Sequence, residues 1–220
     1  MTMRSVSTCV LAAGLALAVA TPARAQGVAA EDGGFEGFMI EAAVGLATPL
    51  SEANWENTAD PSFITGIAFG YMFSLGGWSA AIGPEVDLSY SPINVEDADW
   101  GGGGQDDVGV GRLRLTGGAR FVVGFGSAYL LGRVGVGLDY AYANWDDPPV
   151  HAANGDTDDS DVGASLLLAA GMGYMLADWI GLTVQMEFPI GFHDNPSNLP
   201  VEVDGDMLDL VATAAATFIL

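Results

Sequence analysis

The chain has 220 residues, half of them hydrophobic, with six basic residues against 28 acidic ones. That length makes one domain, and a formal charge of −22 repels nucleic acid and other polyanions, which excludes them as partners. The basic residues are all Arg, and a single Cys excludes a disulfide framework.

At the start, Met1 to Ser5 carries Arg4, and Val10 to Ala20 (VLAAGLALAVA) is a short apolar run. Ala23-Arg24-Ala25 then has the A-x-A form of a cleavage site. Residues 1–25 are therefore expected to be a cleavable Sec-type signal peptide, and 26–34 a small polar periplasmic tether. Cys9 precedes the apolar run, the wrong side for lipidation. Cleavage would leave four Arg against 28 acids, a formal charge of −24. Elsewhere no stretch approaches the roughly 18–20 apolar residues of a spanning helix.

Beyond the tether the pattern has a period of two, the signature of strands with one apolar face. Eight such segments follow: Phe38 to Leu46, Phe63 to Leu75, Trp78 to Tyr90, Gly109 to Val123, Ala128 to Tyr142, Val162 to Tyr174, Ile180 to Phe192 and Leu208 to Leu220. Each reaches the roughly 9–11 tilted residues needed to cross a bilayer, the first only just. The fourth, GVGRLRLTGGARFVV, is the most informative. Leu113, Leu115, Ala119, Phe121 and Val123 share one face; Arg112, Arg114, Thr116 and Arg120 share the other. Pro84 and Pro189 fall inside segments, where a missing N–H predicts local irregularity in the ladder.

The connections alternate in length. Gly76-Gly77, Gly124 to Ser127 and Leu176 to Trp179 are short. Ala47 to Ser62, Ser91 to Asp107, Ala143 to Asp161 and His193 to Asp206 are long, and they hold 18 of the 28 acids. Both termini then lie at the short-turn end. This rhythm predicts an all-β, eight-stranded antiparallel up-and-down transmembrane β-barrel over residues 35–220, with long acidic loops outside the cell.

A soluble lipocalin-like barrel shares the period with its apolar face turned inward. Two features favour the membrane form. The polar face is mostly Gly, Ala, Ser and Thr with sparse charge. Apolar-face aromatics gather near strand ends: Phe63, Tyr90, Tyr140, Tyr142 and Phe192 at one side, Phe38, Tyr71, Phe73, Trp78, Phe121, Tyr174 and Phe218 at the other, as in two interfacial girdles.

By its strand alternation, its loop rhythm, the Arg- and Glu-bearing inner face and the terminal segment LVATAAATFIL, the chain resembles the small outer-membrane β-barrels of the OmpA/OmpX type. The resemblance covers Phe35 to Leu220. It implies a Gram-negative envelope protein of the cell outer membrane, porin-like in architecture. Outer-membrane lipid and, during insertion, the barrel-assembly machinery would be its partners. Family members usually end on an aromatic residue; here Phe218 is third from the end. No peptidoglycan-binding domain is expected after the last strand.

The interior of such a barrel is just wide enough for side chains to fill. Arg112, Arg114, Arg120 and Arg133 would face Glu41, Glu85, Asp87, Asp139, Glu187 and Asp209 there. If Tyr90 pairs with Gly109, Asp87 meets Arg112 and Glu85 meets Arg114. The expectation is a plug of ion pairs and a largely closed lumen; the alternative is a narrow channel for ions or small solutes. In the third loop, Asp156, Asp158 and Ser160 imitate the opening of a calcium loop. Asp161 stands where that loop needs Gly and Leu167 where it needs Glu, so a solvated acidic loop is expected, with divalent cations a weak candidate ligand. His151 and His193 sit beside no Ser in a defensible triad, so neither catalysis nor lipid modification is expected, and no cofactor. Trp55, Trp100 and Trp145 lie in three different long loops and are expected to fold back onto the girdle. The function expected is that of a monomeric barrel of structural or surface-interaction type.

Overall fold

A computed structural model describes residues 35–50, 61–75, 79–99, 105–144, 158–193 and 207–220, without the side chains of 94–99, 105–108, 143–144, 158–159 and 207. The expected leader 1–25, the tether 26–34, Trp55, Trp78, Trp100, Trp145, His151 and Asp156 lie outside these residues.

Eight strands follow one another: β1 (Gly37–Pro49), β2 (Ser62–Ser74), β3 (Ala80–Asp99), β4 (Gln105–Phe125), β5 (Ala128–Asn144), β6 (Asp158–Ala177), β7 (Ile180–Phe192) and β8 (Met207–Ile219). Each pairs antiparallel with its neighbours in sequence, and β8 closes onto β1 to complete the barrel. The closing seam runs to the last residue. Phe38 N donates to Leu220 O at 3.2 Å, and Leu220 N donates to Phe38 O at 2.8 Å. Closure leaves no sheet edge along the seam to be satisfied by solvent, a condition any strand in hydrocarbon must meet.

The faces decide which solvent the wall meets. Leu115 is 47% exposed and Val136 66%, whereas Arg112 and Arg120 on the other face are 0% and 2%. Phe38, Phe63, Phe69, Phe73, Leu130, Met172, Leu182 and Val184 also point outward. The apolar face is thus the exterior and the charged face the interior. A soluble barrel would be built the other way round, because exposing so continuous an apolar band to water opposes folding. The soluble reading is corrected on this ground.

Several strands run further than the periodicity suggests, β3, β4 and β6 by the most. β3 and β4 continue pairing to Asp99↔Gln105, and β6 begins at Asp158 opposite Asn144. Most of the expected second loop is therefore hairpin, with 100–104 left as its connection. Register follows from that shorter connection: Tyr90 pairs with Leu113 instead of Gly109. Asp87 then lies opposite Thr116 and Glu85 opposite Gly118, so the expected Asp87–Arg112 and Glu85–Arg114 pairs do not form.

The prolines interrupt the ladder without shifting it. β3 pairs continuously with β4 through Pro84, but its ladder with β2 omits the two pairs between Gly70↔Glu85 and Phe73↔Ile82. β7 pairs with β6 through Pro189, while the ladder with β8 omits the pairs between Glu187↔Val211 and Ile190↔Leu208. Proline can accept from one neighbour while offering no donor to the other. The register shifts lie elsewhere, at Val95/Ala98 in β3 and Met175/Ala177 in β6.

The short-turn end of the barrel is closed by an apolar floor. Phe35, Met39, Met72, Ala81, Val122, Tyr129 and Leu131 pack there, with Met175 and Ile219 against them. Phe35 precedes β1 and turns into the barrel mouth, its ring edge-on to Tyr129 at 5.4 Å.

Candidate functional site

Between the floor and the long-loop end, the described lumen holds four guanidinium groups and six carboxylates, all buried. They sort into two clusters. In the lower one, Arg120 of β4 forks onto Glu41 of β1, donating Nη1 to Oε2 and Nη2 to Oε1, each at 2.7 Å. Its Nε donates to Glu85 of β3 at 2.7 Å. Arg133 of β5 reaches the same Glu85 through Nε at 2.5 Å and Asp87 through Nη2 at 3.0 Å. Its Nη1 stands 3.9 Å from both Glu41 and Glu187. Planar, bidentate donors suit such a site, since each guanidinium can serve two carboxylates at once.

Hydroxyls from β7 and β8 complete the lower cluster. Thr217 donates to Glu41 at 2.7 Å and Thr213 to Glu187 at 2.9 Å. Thr183 lies 2.7 Å from the Tyr129 hydroxyl and 3.3 Å from Thr217, so a polar chain links the floor to Glu41. A cavity of about 20 Å³ remains between Arg120 and the floor. That is room for about one water molecule.

The upper cluster lies nearer the long loops. Arg112 of β4 is bonded to Asp139 of β5, directly through Nη2 and more loosely through Nε at 3.4 Å. Its Nη1 donates to Asp209 of β8 at 2.6 Å, and Arg114 adds a 3.3 Å bond to the same carboxylate. Asp209 stands where Pro189 interrupts the β7–β8 ladder. An inward glycine makes the space: a Cβ at Gly191 would run into Asp139, while one at Gly163 would meet the Phe192 carbonyl of the neighbouring strand before His193.

His193, the residue after β7, is buried at the edge of this cluster, Nδ1 2.6 Å from Asp161 of β6 and Nε2 3.8 Å from Asp139. Burial disfavours its charged form, but the nearby Asp139 and Asp161 carboxylates outweigh that and raise its pKa above the ordinary 6.5.

The expected inner-face residues Arg112, Arg114, Arg120, Arg133, Glu41, Glu85, Asp87, Asp139 and Glu187 thus line one lumen, with partners other than those the assumed register suggested. Among the calcium-loop candidates, Asp158 and Ser160 stand in β6 opposite Asn144 and Tyr142. Sequence reasoning missed Asp161 and His193 as interior groups. Parity could have found them, since each continues the inward face of its strand by one step beyond the segment expected.

Solved outer-membrane proteins share this closed barrel. The barrel matches Neisserial surface protein A with a TM-score of 0.53 at 13% sequence identity, over 84% of this chain and 98% of that one. It matches the outer membrane protein OprG from Pseudomonas aeruginosa with a TM-score of 0.51 at 18% identity, over 86% and 99%. The fold is that of the small outer-membrane barrels. No family model matches the sequence, and no curated protein does. A solved barrel that matches with a lower TM-score is Ail, the attachment invasion locus protein of Yersinia pestis (0.46, 12% identity, 83% and 99% covered). A shared barrel fold does not set function, which lies in the lumen and loops of each chain.

Proposed function

We propose that this chain is a monomeric protein of the bacterial outer membrane, of structural or surface-interaction type, with its lumen closed and its acidic loops presented outside the cell. One observation carries the reading: the lower cluster spans the barrel from β1 through β3 and β4 to β5, directly above an apolar floor. A guanidinium bonded to two carboxylates cannot step aside for a passing ion without leaving uncompensated charge in a low-dielectric interior. The long-loop end, rich in acid, is then the surface that meets other molecules, and basic or cationic partners suit its charge. His193 Nδ1 is bonded to Asp161 and its Nε2 faces the Asp139 carboxylate, a setting that favours the protonated ring over a general base and so supports a non-catalytic role.

Conductance in planar bilayers tests this reading. The purified barrel should give no resolved single-channel steps. Reproducible steps would favour the channel instead, and the lower cluster says which kind. Its two guanidinium groups face four carboxylates, Glu41, Glu85, Asp87 and Glu187, so any current should be carried by cations.

A further inference from the structure

The ladder between β6 and β7 ends at Ala164↔Phe192, although β6 continues four residues further in the described side chains, to Ser160, paired with β5 alone. Beyond that last pair, a side-chain bond between Asp161 and His193 links the two strands. The imidazole is fully buried, and its second nitrogen faces Asp139 across 3.8 Å with no hydrogen-bond partner among the described residues.

We propose that His193 is a pH-operated latch at the long-loop rim, which holds the end of β7 to β5 and β6 while doubly protonated and releases it when it loses a proton. The chemistry lies in the two nitrogens. An imidazolium presents an N–H to each carboxylate and bridges them. A neutral imidazole bonded through Nδ1 to Asp161 turns a lone pair toward Asp139, and attraction becomes repulsion.

The charged neighbours on every packed strand agree. From β4 come Arg112 and Arg114, from β5 Asp139, from β6 Asp161, and from β8 Asp209. Among the described residues, two guanidinium groups against three carboxylates leave one negative charge over, which the imidazolium cancels. Because the folded pKa is raised, the latch is closed below about pH 6.5 and opens as pH rises through the higher folded value. The device depends on rim geometry and works whichever way the long loops face.

The test uses the full mature chain refolded in detergent micelles. The titration of the His193 Cε1 resonance is followed by NMR, and amide exchange is read as protection factors at Ala164 and Phe192. The midpoint should exceed that of an ordinary histidine. Protection at the rim should fall across it by about tenfold for each unit of elevation. His193→Gln should abolish that pH dependence, and His151→Gln should keep it. A midpoint at or below the ordinary value, or an unchanged exchange profile in His193→Gln, would overturn the latch. Should His193→Gln fail to fold, Asp161→Asn decides: it must lower the His193 midpoint, and an unmoved midpoint also overturns the proposal.

Discussion

Arg120 and Glu41, 79 residues apart in sequence, meet across the barrel interior in two parallel N–H···O bonds of 2.7 Å. Neither strand touches the other in the sheet, since β1 pairs with β2 and β8, and β4 with β3 and β5. The pair therefore braces the wall across its diameter. It also depends on the barrel being closed at its normal size.

Removing one partner of such a brace leaves a buried charge uncompensated, at a cost of about 3–5 kcal/mol. Arg120→Ala should lower the temperature at which the barrel loses its compact, heat-modifiable form on a gel. Arg114→Ala should lower it far less, because Arg114 contributes one 3.3 Å bond to an Asp209 already held by Arg112. Glu41→Gln added to Arg120→Ala should recover part of the loss. Equal melting of the two single Arg variants would mean that the lumen charges are hydrated.

The outward face makes a separate prediction. Leu115→Arg places a charge on the apolar exterior at mid-strand, which costs about 2–4 kcal/mol near the bilayer midplane. Unfolding by urea in lipid vesicles should show that loss. Arg introduced within the connection 100–104 should leave the urea midpoint where it was.

Phe35 tests the floor. Its ring is buried against Tyr129 and the methionines, and Phe35→Ala should cost up to the 3–5 kcal/mol typical of buried aromatic truncation, lowering the thermal midpoint. Gly117→Ala is the control, since a Cβ there meets nothing within 4 Å. Its midpoint should stay within a degree or two of the parent.

Orientation is read by labelling. A cysteine introduced at Gly101 to Gly104 should react with a membrane-impermeant maleimide on intact cells, and one at Gly126, in the β4–β5 turn, should not. The reverse pattern would turn the long loops toward the periplasm.

Glycine at 191 carries a final prediction. A Cβ there would collide with Asp139, which Arg112 and His193 both face. Gly191→Ala should therefore destabilise the barrel and shift the His193 resonance, two effects that a loss of backbone flexibility alone would not combine.

Much of this barrel is legible in local pattern. Eight alternating segments, two classes of connection and three Arg on one face of the fourth segment were enough for strand number, closure and the charged interior. The reason is local: a period of two puts every second side chain on one surface wherever the strand goes, so the face of Arg112, Arg114 and Arg120 is a property of the strand itself. Partnership is different. Which carboxylate meets which Arg depends on register and on reach across the lumen, and both are set by connections whose length the periodicity does not mark. The hairpin running on to Asp99↔Gln105 moved Tyr90 from Gly109 to Leu113 and gave Glu85 and Asp87 to Arg120 and Arg133. Phe35 in the floor, and His193 between Asp161 and Asp139, were likewise decided by tertiary structure. Each lies one or two residues outside a strand, where parity still gives the inward face but the partners come from other parts of the wall.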